Sequence, residues 1–146
     1  MAVELALYGG LFLNAFIAAT LFPALSELSF ATLLASGTGV PLLLFLTVTI
    51  GNVAGAFVNY WLGLRIASFQ HRKWFPFTHK QIDQATRQFE RFGKWSLLFA
   101  WLPIIGDPLT LVAGLLRTDF RFFALLVTIG KATRYALVVL TIASLP

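Results

Sequence analysis

A chain of 146 residues that is 58% hydrophobic and only 12% charged, with a mean hydropathy of +0.82, is excluded from the ordinary soluble domains, which carry about 25% charged residues. It has no cysteine, so disulfide and thiolate chemistry are excluded as well. The net charge of +5 is unevenly spread: seven of the eleven Lys and Arg fall between Arg65 and Lys94 and none precedes Arg65, a membrane-topology pattern rather than a nucleic-acid footprint.

From Leu28 to Leu64 no Asp, Glu, Lys or Arg occurs, a run of 37 residues, where a bilayer span needs about 20. Strict apolar–polar alternation is absent, so the expected fold is an all-α integral membrane protein rather than a barrel. The only charge before the first apolar run is Glu4, which does not suit a signal peptide.

Residues 5 to 22 are uncharged and fit a helix of about 27 Å. Pro23 ends or kinks it. Residues 28 to 36 fit a short second helix, and Gly37-Thr38-Gly39 with Pro41 a turn. Two readings stay open: a full crossing by residues 5 to 22, or a re-entrant hairpin over residues 5 to 36 that turns near Pro23 to Glu27. Residues 40 to 66 form the first span. Asn52, Gly55, Asn59 and Gly63 recur on one face, for helix packing or for lining a cavity. Tyr60, Trp61 and Arg65 mark its interface end.

Residues 68 to 94 are a polar linker. His71, Arg72 and Lys73 mix with Phe69, Trp74 and Phe75, and neither His71 nor His79 has metal-ligand company. Thr78 with Gln81 fits a capping box. Ile82, Ala85, Phe89 and Phe92 form an apolar stripe stopped by Gly93, as in an amphipathic helix on the anionic cytoplasmic leaflet. Trp95 to Leu102 is an apolar arm of about 12 Å, Pro103 to Pro108 a break, and Leu109 to Leu116 a return arm. Neither arm can span alone, so this segment is expected to be re-entrant. Residues 120 to 145 form the last span, with Lys131 and Arg134 about 15 to 20 Å beyond Arg121, near mid-bilayer.

Two stretches read as copies. Pro23-Ala24-Leu25-Ser26-Glu27 matches Pro103-Ile104-Ile105-Gly106-Asp107, 80 positions on, and Val48-Thr49-Ile50-Gly51 matches Val127-Thr128-Ile129-Gly130, 79 positions on. The expected organisation is a single membrane domain: repeat 1 over about 5–66, an interfacial linker over about 68–94, and repeat 2 over about 95–146. Each repeat is a re-entrant hairpin followed by one span, and the two are inverted relative to each other. With residues 65 to 94 and 117 to 121 in the cytoplasm, both termini lie outside.

Glu27, Asp107, Lys131 and Arg134 carry the candidate chemistry. A charge at the bilayer centre costs roughly 2.5 to 3.5 kcal/mol, so four unpaired would cost about 10 to 14 kcal/mol. Pairing or a wet cavity is required. The bland reading is a structural ion-pair cluster. The functional one is an ion or substrate path, with carboxylates to carry protons and Arg134 or Lys131 to hold an anion. Helix breaks at Pro23, Pro103 and Pro108 would aim free backbone N–H groups at that anion. No Ser-His-acid set is evident, so the chain is not expected to be an enzyme, and no cofactor or metal is expected.

The Pro23–Glu27 break, Gly51-Asn52 with Gly55, Asn59-Tyr60-Trp61-Leu62-Gly63, Phe92-Gly93-Lys94-Trp95, Trp101-Leu102-Pro103-Ile104-Ile105-Gly106-Asp107-Pro108, Gly114 and Gly130-Lys131-Ala132 together resemble the DedA family (VTT domain), especially its short YqaA-like branch. The resemblance implies two facing re-entrant helices and lipid translocation, with undecaprenyl phosphate recycling and proton coupling associated with several bacterial members. Glu27 matches the family's acid of the first hairpin. The arginines usual around the second hairpin's proline are replaced by Trp101 and by Gly106-Asp107, so Lys131 or Arg134 substitutes or the substrate differs.

The function expected is a transporter or flippase of an anionic lipid headgroup, a polyprenyl phosphate being the candidate, coupled to protons in the cytoplasmic membrane. The alternatives are a proton-coupled small-solute exporter and a non-transporting membrane assembly or scaffold protein. The expected partners are membrane lipids and protons, not nucleic acid, and so small a pore-lining surface is compatible with a homodimer.

Overall fold

The structure, a computed structural model, describes residues 1–20, 23–66, 71–102 and 105–146. The order of elements is α1 (Ala2–Ala18), α2 (Pro23–Ala35), α3 (Pro41–Leu64), α4 (His79–Phe92), a 3-10 helix (Gly93–Trp101), α5 (Gly106–Leu115) and α6 (Phe120–Ala143). Among the described residues there is no strand. Among those residues, α3 and α6 are the two helices long and apolar enough to cross a bilayer. Each has 24 residues, about 36 Å against a hydrocarbon core of about 30 Å. They begin 79 positions apart, the offset of the Val-Thr-Ile-Gly match. Their outer faces carry exposed Leu42, Leu46, Ile50, Leu125, Ile129 and Leu140.

The prolines open helices more than they break them. Pro41 starts α3 and Pro23 starts α2, where a fixed φ suits the first turn and the missing N–H has no partner to lose. The second helix therefore begins five residues before the expected Leu28, and Glu27 lies within it rather than at a turn. Pro108, expected as a break, is the third residue of α5 and is accommodated in its first turn. Pro103 lies outside the described residues. The expected turn before α3 is present, with Gly37 at φ +68° and Gly39 at φ +85°, a region open to glycine at little cost.

α3 is the central helix, packed against α1, α5 and α6. Its small residues permit this. A Cβ on Gly55 would stand 2.6 Å from the Phe16 carbonyl oxygen of α1. At the other end of α3, Gly63 and Gly114 of α5 interlock: a Cβ on either would overlap a backbone carbonyl oxygen of the facing helix, that of Leu111 or of Tyr60. α5 is enclosed, buried from Gly106 to Gly114.

Two expected surface features turn inward. The capping box of α4 forms as expected: Thr78 Oγ1 accepts from the Gln81 N–H at 3.2 Å, and Gln81 Oε1 from the Thr78 N–H at 2.9 Å. Its apolar residues Ile82, Ala85 and Phe89 are buried, and α4 packs on α5 and the 3-10 helix. Protein, not the leaflet, covers that stripe, while Phe92, expected in it, is exposed. Tyr60, expected at the lipid interface, is buried; its hydroxyl donates to the Thr118 carbonyl at 2.5 Å and its ring meets Phe123. Arg65 does sit at the end of the span, over the Trp61 ring.

The apolar arm after Gly93 is a 3-10 helix of nine residues, longer than the usual three or four and about 18 Å rather than 12 Å in reach. It buries Ser96, Leu97 and Ala100 and packs on α4, α5 and α6, where Gly130 of α6 leaves room for the Leu98 carbonyl. The core has two parts. One takes Ala56 and Tyr60 of α3 and Phe123, Leu126 and Val127 of α6; the other takes Leu44 and Val48 of α3 and Tyr135 of α6. Asn52, Lys131 and Arg134 fall between these sets along their helices, so the charges occupy the seam between two apolar cores.

Candidate functional site

Lys131 is the twelfth residue of α6, as Asn52 is of α3. The two meet: Lys131 Nζ donates to Asn52 Oδ1 at 2.5 Å and to Asp107 Oδ1 at 2.7 Å. Lys131 is completely buried and Asp107 is 3% exposed. Asn52 Nδ2 in turn donates to the Ala15 carbonyl at 3.0 Å, tying the pair to the end of α1. Two turns along α3, Asn59 Nδ2 donates to the Ala19 carbonyl at 2.9 Å and to Thr110 Oγ1 at 3.1 Å, and Thr110 donates to the Asp107 carbonyl at 2.5 Å. The network thus joins α1, α3, α5 and α6. Buried ions cost several kcal/mol each to desolvate, and only pairing with further hydrogen bonds offsets it. Asp107 Oδ2 and Asn59 Oδ1 are buried without a hydrogen-bond partner among the described residues.

The other pair is built differently. Arg134 Nε donates to Glu27 Oε1 in an ion pair between α6 and α2. Beside it, the hydroxyls of Ser26 and Tyr135 share a hydrogen bond of 2.7 Å, and the Tyr135 ring meets Phe30 edge-on. Two consecutive residues of α2 therefore grip two consecutive residues of α6. The Glu27 side chain is 34% exposed, while Arg134 is almost wholly covered. Glu27 and Arg134 form the polar end of a groove of about 380 Å³ whose walls include Ala31, Trp101, Leu137 and Thr141.

The four charges expected as one cluster thus divide into a sealed pair and an open pair. Asp107 and Lys131 do not line the groove that holds Glu27 and Arg134. Asn52, Gly55, Asn59, Gly63 and Gly130 are all buried and serve packing and internal hydrogen bonds; none of them lines this groove. Ser26, Thr110 and Tyr135 join the site without having been singled out from sequence. Ser26 and Tyr135 were signalled only by being neighbours of Glu27 and Arg134. Trp101, at a position where the family resemblance leads one to expect arginine, instead faces the same groove as Arg134.

Apolar spans with paired charges between two cores define an all-helical membrane protein. The chain belongs to the VTT-domain (DedA) family, whose domain matches residues 8–144. It is 36% identical over 140 residues to the inner membrane protein YqaA of Escherichia coli K12, covering 94% of this chain and 92% of that one. The identically named protein of Shigella flexneri matches equally. A protein of Haemophilus influenzae described as uncharacterized is 34% identical over 132 residues, covering 86% of this chain and 80% of its own. No solved structure matches.

Proposed function

We propose that the chain moves an anionic lipid headgroup across the cytoplasmic membrane, with Arg134 as the anion-holding residue and Glu27 as the proton carrier. The observation that carries this reading is the difference in exposure between the two ion pairs: Lys131–Asp107 is sealed, whereas Glu27–Arg134 ends a groove. A phosphate reaching the groove competes with Glu27 for the guanidinium, which can hold it with two donors. A proton taken up by Glu27 releases Arg134 for that phosphate, and its departure restores the ion pair.

The groove favours a lipid over a free solute. Its walls are largely apolar, and Leu137, at its side, is 48% exposed on the outer face of α6. A scaffold role suits the Lys131–Asp107 pair, which holds the spans and the second hairpin together. In this reading α1–α2 and the 3-10 helix–α5 are re-entrant hairpins of two inverted units. The equal lengths of α3 and α6, their 79-residue offset and the direct contact of the equivalent residues Asn52 and Lys131 support it.

The test is reconstitution in vesicles with a fluorescent polyprenyl phosphate and a fluorescent zwitterionic phospholipid as control. The wild type should move the phosphate lipid faster under an applied pH gradient. Arg134→Gln should abolish that movement, and Glu27→Gln should abolish it or free it from the gradient. Wild-type rates and pH dependence in both variants would refute the assignment.

A further inference from the structure

On the linker side of the molecule, α4 and the second hairpin enclose two adjoining cavities of about 600 and about 290 Å³ that share Gln88, Arg91 and Ile105. The mouth is polar. Gln84, Arg87, Gln88 and Arg91 stand at i, i+3, i+4 and i+7, so they form one stripe of α4. The floor of the smaller cavity is apolar, with Phe99, Leu102 and Leu109. Ser96 also lines it; Ser96 is fully buried, and its Oγ has no hydrogen-bond partner among the described residues. Arg87 and Arg91 are exposed and form no ion pair among the described residues, although Asp83 and Glu90 stand on the same helix. Arg91 instead lies over the exposed Phe92 ring, 5.2 Å from its centre.

We infer that this cleft binds a phospholipid with an anionic headgroup, its phosphate held at the mouth by Arg87 and Arg91 and the start of its acyl chains over Phe99, Leu102 and Leu109. Two unneutralised guanidiniums one turn apart, with two amide side chains beside them, match a phosphate that needs several donors. Apolar walls directly below match the hydrocarbon that a free phosphate lacks. The seven basic residues from Arg65 to Lys94 place this face at the cytoplasmic leaflet, where anionic lipids are the available partner. The site lies across the 3-10 helix from the Glu27–Arg134 groove: Ser96 and Phe99 face one and Trp101 the other. The inference goes beyond the proposed transport and does not depend on it.

The full chain, purified in a neutral detergent, is titrated with phosphatidylglycerol and its thermal unfolding and lipid-bound mass are followed. Phosphatidylglycerol should bind and raise the midpoint, and phosphatidylcholine should do neither. The double variant Arg87→Gln/Arg91→Gln should weaken phosphatidylglycerol binding at least tenfold and remove the midpoint shift. The double variant Lys73→Gln/Lys80→Gln, with the same charge change on exposed residues outside the cleft, should bind within about twofold of wild type. Equal loss in both double variants overturns the site in favour of diffuse attraction. Equal protection by inorganic phosphate overturns the lipid assignment. This test reads binding at Arg87 and Arg91 and the transport test reads movement between leaflets through Glu27 and Arg134, so a failure of the transport reading stays separate from a failure of this one.

Discussion

Lys131 and Arg134 lie three residues apart on one helix, yet their surroundings differ. Lys131 is held by Asp107 and Asn52 without access to the outside, while Arg134 shares an ion pair whose carboxylate is one-third open. Lys131→Met should therefore strand a buried carboxylate, at a cost of about 3 to 5 kcal/mol. The measurement is folded yield on gel filtration and the unfolding midpoint in detergent. Glu27→Gln should cost about 1 kcal/mol, because the amide oxygen still accepts from Arg134, and should leave the protein folded while changing transport. The four charged positions were legible in the sequence because mid-span charges are rare and costly. Their pairing was not. Glu27 and Arg134 are 107 positions apart, and their meeting depends on α2 starting at Pro23, which brings Ser26 and Glu27 onto the helix face that meets α6.

At the scale of the elements, glycines decide how closely helices approach. Gly63→Ala should push α3 from α5, since the new Cβ meets fixed backbone rather than a movable side chain; overpacking of this kind costs about 1 to 3 kcal/mol. Gly9→Ala on α1 meets nothing within 4 Å and should instead gain about 0.5 to 1 kcal/mol from helix propensity. Unfolding midpoints of the two variants should move in opposite directions. Thr78→Ala removes one side of the capping box and should lower stability by about 1 kcal/mol. These features were legible because they are local: a Thr three residues before a Gln, a Gly after the last apolar turn, small residues at helical spacing. What covers an apolar stripe is not local. Ile82, Ala85 and Phe89 would look the same against lipid or against α5, and nothing in Gly93 to Trp101 distinguishes a 3-10 helix from an α-helix until Gly106 and Gly130 are seen to admit its backbone.

For the whole molecule, the basic residues predict that the linker and the far end of α6 lie on opposite sides of the membrane. The chain has no cysteine, so His71→Cys and Leu145→Cys can be labelled singly. An impermeant thiol reagent should reach them from opposite sides of intact cells and inverted vesicles; labelling from one side would remove the inverted arrangement of the two units. The matched offsets were legible and recur as two 24-residue helices that begin 79 positions apart, whereas what each of those helices contributes to the site was not. α3 contributes a neutral Asn52 where α6 contributes Lys131, and no ionised side chain of α3 lies between its ends. That allocation has an electrical consequence. Glu27, Asp107, Lys131 and Arg134 carry formal charges that cancel, so at rest a transmembrane voltage exerts no net force on the cluster. One proton on Glu27 would leave a single positive excess, worth about 2.3 kcal/mol per 100 mV for a full traverse, and an inside-negative potential would draw it toward the cytoplasm. A monovalent phosphate at Arg134 would cancel that excess, so the loaded and the empty resting site would both be indifferent to voltage, and only the protonated, unloaded state would feel it.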